Sequence, residues 1–245
     1  MKHLFLLTTL LSSSILLANA QAAEWSYDGA SGPEHWAELD SDNAICASGK
    51  EQSPIDIKSG ASQEIPLPVL GFHYQSGDAE VINNGHTVQV NFKAGNQLKV
   101  AGQSAELLQF HFHTPSEERF DGKEYPMDAH LVHKTADGKL SVVAVLFEKG
   151  KKNEALEDLL EALPAAGKTK ALKDFNPAAI LPSDHSYYRF VGSLTTPPCS
   201  EKVSWQVLKQ PVELSQGQID AFRKLYKMNA RPVQPLNERV IEVSQ

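Results

Sequence analysis

Between residues 79 and 208 the chain repeatedly alternates apolar and polar residues, or clusters β-branched ones, with Gly, Asn, Asp and Ser in between. A strand turns successive side chains to opposite faces, so these runs predict strands at 79–82, 87–92, 97–100, 107–113, 129–133, 140–147 and 203–208. Two segments carry the helical period instead. In 153–163, Leu156, Leu159, Leu160 and Leu163 form one stripe behind an expected N-cap at Asn153. In 215–226, Ser215 and Gln218 have capping-box spacing, and Ile219, Phe222 and Tyr226 share a face. Many strands and few helices, with no βαβ alternation, predict a mainly β (α+β) fold on a largely antiparallel sheet. Prolines near the start (Pro33, Pro54) and the end (Pro232, Pro235) predict irregular segments that wrap the sheet. No linker, internal repeat or low-complexity block divides the chain, so residues 21–245 read as one domain.

The first residues follow another pattern. Lys2 and His3 precede an apolar run from Leu4 to Leu17, and Ala18-Asn19-Ala20 is a small-residue cleavage site. This predicts a signal peptide at 1–20, with a cut after Ala22 as the alternative. The run is too short and too rich in Ser and Thr for a transmembrane helix, so the expectation is an exported chain, periplasmic or secreted, without a membrane anchor. The two cysteines, Cys46 and Cys199, fit that compartment, where a lone pair is most simply a disulfide. A cysteine serving as metal ligand or nucleophile is the weaker alternative, since neither lies near the histidine-bearing strands. The net charge of −7, with no basic cluster, argues against nucleic acid or an anionic membrane as partner.

Candidate chemistry concentrates in two of the predicted strands. His111 and His113 are two residues apart and share a strand face, with α-carbons roughly 6.5–7 Å apart. The 129–133 strand, lying antiparallel alongside, brings a third imidazole to them. His130 and His133 are three apart and face opposite ways, so only one can join. Asp128 shares a face with His130 and offers a carboxylate to the second ring nitrogen, which favours His130 as the ligand. Gln109 stands in the same relation to His111. Three neutral imidazoles leave a fourth tetrahedral position open, the arrangement of catalytic rather than structural zinc.

Read together, the motifs resemble one family. Gly32-Pro33-Glu34-His35-Trp36, Gln52-Ser53-Pro54-Ile55-Asp56-Ile57, Asn83-Asn84-Gly85-His86 and Gln109-Phe110-His111-Phe112-His113 come first. Ala129-His130-Leu131-Val132-His133, Gly192-Ser193-Leu194-Thr195-Thr196-Pro197-Pro198, Trp205 and Arg231-Pro232-x-Gln234-Pro235-Leu236 follow in order. In this order they resemble the α-class carbonic anhydrases over nearly all of the chain beyond the leader. The leader and the cysteine pair are similar to the exported bacterial branch.

The resemblance implies a single domain on a large twisted sheet, with zinc at the base of a conical cavity. It implies Zn²⁺ on His111, His113 and His130, lowering the pKa of bound water to about 7 so that hydroxide attacks CO₂ and yields bicarbonate and a proton. Those magnitudes are the general ones for carbonic anhydrase. Thr195 would accept a hydrogen bond from the hydroxide and donate its own to Glu117, and Thr196 would bind bicarbonate. Val132, Val142, Leu194 and Trp205 match the apolar wall for CO₂. His86 matches the proton shuttle, and Tyr27, Asn84 and Gln89 match the lining of its water path. A homodimer is the assembly expected by family analogy.

Three other functions remain to be weighed. A binding or structural protein on the same fold is disfavoured because all three histidines, Glu117 and Thr195 are present. An ester-cleaving zinc hydrolase is separated by relative kcat/KM on CO₂ and an ester. A zinc protease is disfavoured because no His-Glu-x-x-His occurs.

Overall fold

Five of the seven period-two segments form strands longer than the pattern alone predicts, while 97–100 is matched and 87–92 begins one residue later. The computed structural model describes residues 24–161 and 163–245, and the expected leader with both candidate cleavage sites lies outside them. The strands are β1 (Gly77–Asn83), β2 (Val88–Phe92), β3 (Gln97–Val100), β4 (Gln103–His113), β5 (Met127–Thr135), β6 (Leu140–Lys149), β7 (Thr169–Phe175), β8 (Tyr187–Ser193) and β9 (Glu201–Leu208). They belong to one 13-stranded sheet whose main path runs β7-β1-β2-β4-β5-β6-β9-β8, with two short strands, Glu242–Val243 and Gln63–Glu64, beyond β8. Pairing is mostly antiparallel, but β6 and β9 run parallel, so the sheet is mixed. The fold is thus a single, mainly β domain with few helices.

The central strands are covered on both faces. β5 is buried without a break from Met127 to His133, where β1 at the side of the sheet alternates exposed and buried positions. One face carries the main core: Phe110 and Phe112 of β4, Ala129 and Leu131 of β5, and Val143, Val145 and Phe147 of β6. Burying side chains of this size contributes about 1.5–3 kcal/mol each. Helix α1 (Gln216–Arg223) lays Ile219 and Phe222 on this face. Its capping box is formed, Ser215 and Gln218 each accepting the other's backbone N–H. The opposite face carries a smaller cluster of Val132, Val142, Ala144 and Trp205, and beside it the histidines.

A bulge in β4 sets which face the histidines take. Leu107 pairs with His133, but Gln109 pairs with Val132, so Leu108 is an extra residue and stands 41% exposed. Leu107 lies in the main core together with Phe110 and Phe112, three and five residues on, which a regular strand does not allow. Beyond the slip, Gln109, His111 and His113 occupy the face opposite that core.

Two sequence expectations need correction. The predicted 153–163 helix is a 3₁₀ turn, Glu154–Leu156, followed by one α-turn, Glu157–Leu160. The Asn153 side chain makes no cap; its backbone N–H and C=O are both bound by the Gln218 side chain. Pro164 shortly after favours extended backbone before it and limits the helix. Strands β7 and β8 were not predicted. The lysines of β7 hide its alternation, and Tyr187-Tyr188-Arg189-Phe190 in β8 has no polar-apolar period.

Candidate metal centre

Antiparallel register brings the three imidazoles together. His111 of β4 stands opposite His130 of β5, and His113 stands opposite Asp128. Each of the three offers one nitrogen, and those atoms all lie within 4.8 Å of one another. Ring centroids are 5.0 Å apart for His111 and His113, 5.5 Å for His111 and His130, and 4.6 Å for His113 and His130. His133 faces the other way, into the core side of the sheet. There its Nε2 meets the Tyr74 hydroxyl at 2.6 Å and its Nδ1 meets the Ser141 carbonyl at 3.3 Å.

Hydrogen bonds fix which nitrogen of each ring carries a lone pair. Nδ1 of His113 lies 2.7 Å from the carbonyl of Asn229, and a carbonyl only accepts, so Nδ1 carries the proton. Nε2 of His113 is buried with no partner among the described residues. Nδ1 of His111 lies 2.8 Å from Gln109 Oε1, which likewise accepts. His130 reverses the pattern: Nε2 lies 3.0 Å from Glu118 Oε2, so Nδ1 is its free nitrogen. The donor set is therefore Nε2, Nε2 and Nδ1, the imidazole nitrogens that bind Zn²⁺ when unprotonated. An orphaned, fully buried imidazole nitrogen is costly unless something fills the gap, and a divalent cation does so.

Electrostatics point the same way for His111 and His113. Burial holds the His111 pKa well below its usual range, reinforced by the two neighbouring rings. Burial also brings His113 down to about 4. Both rings are then neutral near pH 7, the form that coordinates metal. Burial opposes a charge on His130 too, but the carboxylates of Glu118 and Asp128 outweigh it and raise its pKa well above the usual value. Buried Glu117, Glu118 and Asp128 gather around these rings, and a divalent cation bound there would favour their ionised forms.

The carboxylates do not sit as the sequence suggests. Asp128 Oδ2 stands 3.5 Å from His130 Nε2 and takes the backbone N–H of Glu117 at 2.7 Å instead. The nearer carboxylate at His130 belongs to Glu118, which the strand-face argument missed because it comes from a loop. Glu117 Oε1 accepts the backbone N–H of Arg231 at 2.7 Å, and burial raises its carboxyl to about 8. Glu117 Oε2 has no partner among the described residues, so the predicted hydrogen bond from Thr195 is not formed here, although Thr195 is buried. Oε1 being taken by the main chain leaves Oε2 as the free acceptor.

Around this centre, Val132, Val142 and Trp205 pack as register neighbours with Leu194 against them. The Trp205 ring meets His130 edge-on at 4.9 Å. Thr195 and half-buried Thr196 lie in the loop after β8, closed by Leu194 N–H to Ser200 O and Cys199 N–H to Thr196 O. Cys199 is joined to Cys46 by a disulfide. Arg231 ties the same region down, donating to the carbonyls of Cys46 and Ser53 and to Gln52.

His86 follows Gly85, whose φ of +91° suits glycine at this turn. Its ring stacks on Trp25 with centroids 3.7 Å apart, and burial lowers its pKa. Asn84 caps the turn, its Oδ1 accepting the N–H groups of His86 and Thr87, both at 2.9 Å. Gln89 stands opposite His111 in the sheet. Tyr27 packs edge-on against Trp25 and Trp36 and, with Glu117, lines a cavity of about 460 Å³ beside the N-terminal segment. Asn229 is the other residue the sequence reading missed, because a main-chain acceptor leaves no signal in a motif.

Comparison with known proteins decides the family. The model of the eukaryotic-type carbonic anhydrases matches residues 31–245. The chain belongs to the carbonic anhydrase family. It is similar to a carbonic anhydrase of Pectobacterium atrosepticum, 43% identical over 98% of this chain and 99% of the relative. A carbonic anhydrase of Nostoc is 44% identical over 91% of this chain and 87% of its own length. Among solved structures, the α-carbonic anhydrase of Thermovibrio ammonificans in complex with sulfanilamide has a TM-score of 0.88 at 43% identity. It covers 92% of this chain and 100% of that one.

Proposed function

We propose that the chain catalyses the reversible hydration of carbon dioxide to bicarbonate and a proton, at a Zn²⁺ held by His111 Nε2, His113 Nε2 and His130 Nδ1. The observation that carries this reading is the set of three lone pairs, each left free by a hydrogen bond on the other ring nitrogen. Zn²⁺ in such a site acts as a Lewis acid that lets water lose its proton near neutral pH.

The chain's own residues do the rest. CO₂ has no net dipole, and Val132, Val142, Leu194 and Trp205 offer it an apolar wall. Thr195 accepts a hydrogen bond from the attacking oxygen and donates its own to the free Oε2 of Glu117. An ionised carboxylate can only accept, which fixes that direction. A cation beside Glu117 favours the ionised form against the burial that raises its pKa. Thr196 takes the bicarbonate. His86, neutral at pH 7, accepts the released proton and passes it to solvent, with Tyr27, Asn84 and Gln89 lining the water path. The Cys46–Cys199 disulfide supports an exported chain, periplasmic or secreted.

Stopped-flow CO₂ hydration with metal analysis on one sample tests the reading. The expected result is one zinc per chain, and activity lost to a chelator and regained with Zn²⁺. Hydration that persists in metal-free protein would overturn it.

A further inference from the structure

His130 is held by a carboxylate from outside its own strand. Asp128 lies two residues earlier on the same strand face, yet its nearer oxygen is 3.5 Å from His130 Nε2, beyond ordinary N–H···O distances. That oxygen is engaged instead with the Glu117 N–H at 2.7 Å. Glu118 Oε2 stands 3.0 Å from Nε2, within hydrogen-bond reach. We infer that Glu118, not Asp128, is the positioning residue that fixes the tautomer and ring orientation of His130.

The loop that carries Glu118 is built to deliver it. Ser116 Oγ donates to the Glu118 carbonyl at 2.8 Å and accepts the Tyr125 N–H at 3.0 Å, tying both ends of the loop to one side chain. The next residue, Arg119, is anchored by its N–H to Ile55 O and pairs with Asp56 in a two-stranded sheet. Glu118 is fully buried, and its other oxygen, Oε1, has no partner among the described residues, so its carboxylate serves the ring of His130. The two neighbouring carboxylates have separate tasks. Asp128 holds the backbone of Glu117, and Glu118 holds His130 with its Nδ1 lone pair free. Such orienting partners commonly change metal affinity by about 10–100-fold. The inference rests on the proposed reading of the three histidines as a zinc site.

The test compares the wild-type chain with Glu118→Ala, Glu118→Gln and Asp128→Asn. It reads zinc release to a chelator and the imidazole ¹⁵N–¹H correlations. Glu118→Ala is expected to release zinc about 10–100-fold faster and to lose or shift the His130 Nε2–H signal. Glu118→Gln keeps the side-chain length and carries the test if the alanine variant fails to fold; it should also release zinc faster and shift that signal. Asp128→Asn should leave the His130 signal in place. Wild-type zinc retention in the Glu118 variants, or a His130 signal moved only by Asp128→Asn, would overturn the inference. A wild-type chain that takes up no zinc would instead end the metal reading. The response of the His130 Nε2–H signal to each substitution in that metal-free protein would still decide between Glu118 and Asp128.

Discussion

The main-chain carbonyl of Asn229 accepts the Nδ1–H of His113 at 2.7 Å, joining the C-terminal segment to β4 across 116 residues of sequence. The side chain of the same asparagine binds the surrounding backbone. Its Oδ1 accepts the Thr114 N–H at 2.8 Å, and its Nδ2 donates to Phe112 O and His86 O, both at 3.0 Å. One buried residue thus links a metal-site ring to the turn of His86. Asn229→Ala removes three side-chain hydrogen bonds and leaves the carbonyl. At roughly 1 kcal/mol each, with stranded buried groups adding to the cost, the expected loss is about 3 kcal/mol. Urea unfolding measures it, and metal analysis should still find one zinc per chain. A change below about 1 kcal/mol, or a zinc-free variant, contradicts this account.

His111→Ala removes one of three nitrogen donors without disturbing the other two rings' own partners. Zinc and CO₂ hydration are expected to disappear together, to the level of chelated wild type. The variant should keep the wild-type circular dichroism, because His111 faces away from the main core. A variant that hydrates CO₂ at the wild-type rate would remove His111 from the ligand set.

The alternation of Phe110 and Phe112 with His111 and His113 was enough to place two rings on one face, and the strand after it supplied the third. The face itself was not legible, because the Leu108 bulge changes the phase of β4 and only the register reveals it. Sequence spacing also named the wrong nearest carboxylate at His130. Same-face logic sees Asp128 inside the strand and cannot see Glu118, which a loop folds back. The capping box at Ser215 was readable because both partners are local. The Asn153 cap does not form, and a distant side chain that spacing cannot reveal, Gln218, binds that residue's backbone instead.

His86→Ala should lower kcat while leaving kcat/KM nearly unchanged, since proton release follows the chemical step in the proposed cycle. A loss on the order of a hundred-fold is expected, at the lower end of positioned acid-base groups. Added imidazole buffer should restore turnover. The ring stacks on Trp25 and stays partly open to solvent, so a small buffer can take its place. Turnover insensitive to both the substitution and the buffer would mean that protons leave by another route.

Reducing the Cys46–Cys199 bond opens a loop of 153 residues and frees the anchor of the Thr195–Thr196 loop. The chain-entropy relation gives up to about 5 kcal/mol for such a loop, with about 2–4 typical of measured disulfides. The double variant Cys46→Ser, Cys199→Ser should therefore melt well below wild type. Hydration should weaken further than global unfolding explains, because Thr195 loses its brace. Thiol titration of the native protein checks the premise: two reactive thiols would remove it.

Acid should destabilise the fold through His133. This ring is buried between Tyr74 and the Ser141 carbonyl, and burial lowers its pKa from the ordinary 6.5 to about 4. Between those two values the unfolded chain binds a proton that the folded chain refuses, so stability falls as pH drops through the window. The contribution is fully present above about pH 6.5, and its loss amounts to about 3 kcal/mol once pH is below both values. From pH 7 to pH 5 the expected loss from this ring alone is about 2 kcal/mol. His133→Gln does not titrate and should be less stable at pH 7, because a tight ring contact is lost. Its stability should nevertheless decline less between pH 7 and pH 5 than that of wild type, by about that amount. Urea unfolding of both chains at the two pH values, under the same metal conditions, cancels the other histidines to the extent that the sites are independent. Parallel declines would mean that His133 takes up its proton in the folded chain, and that the Tyr74 and Ser141 contacts do not keep it neutral.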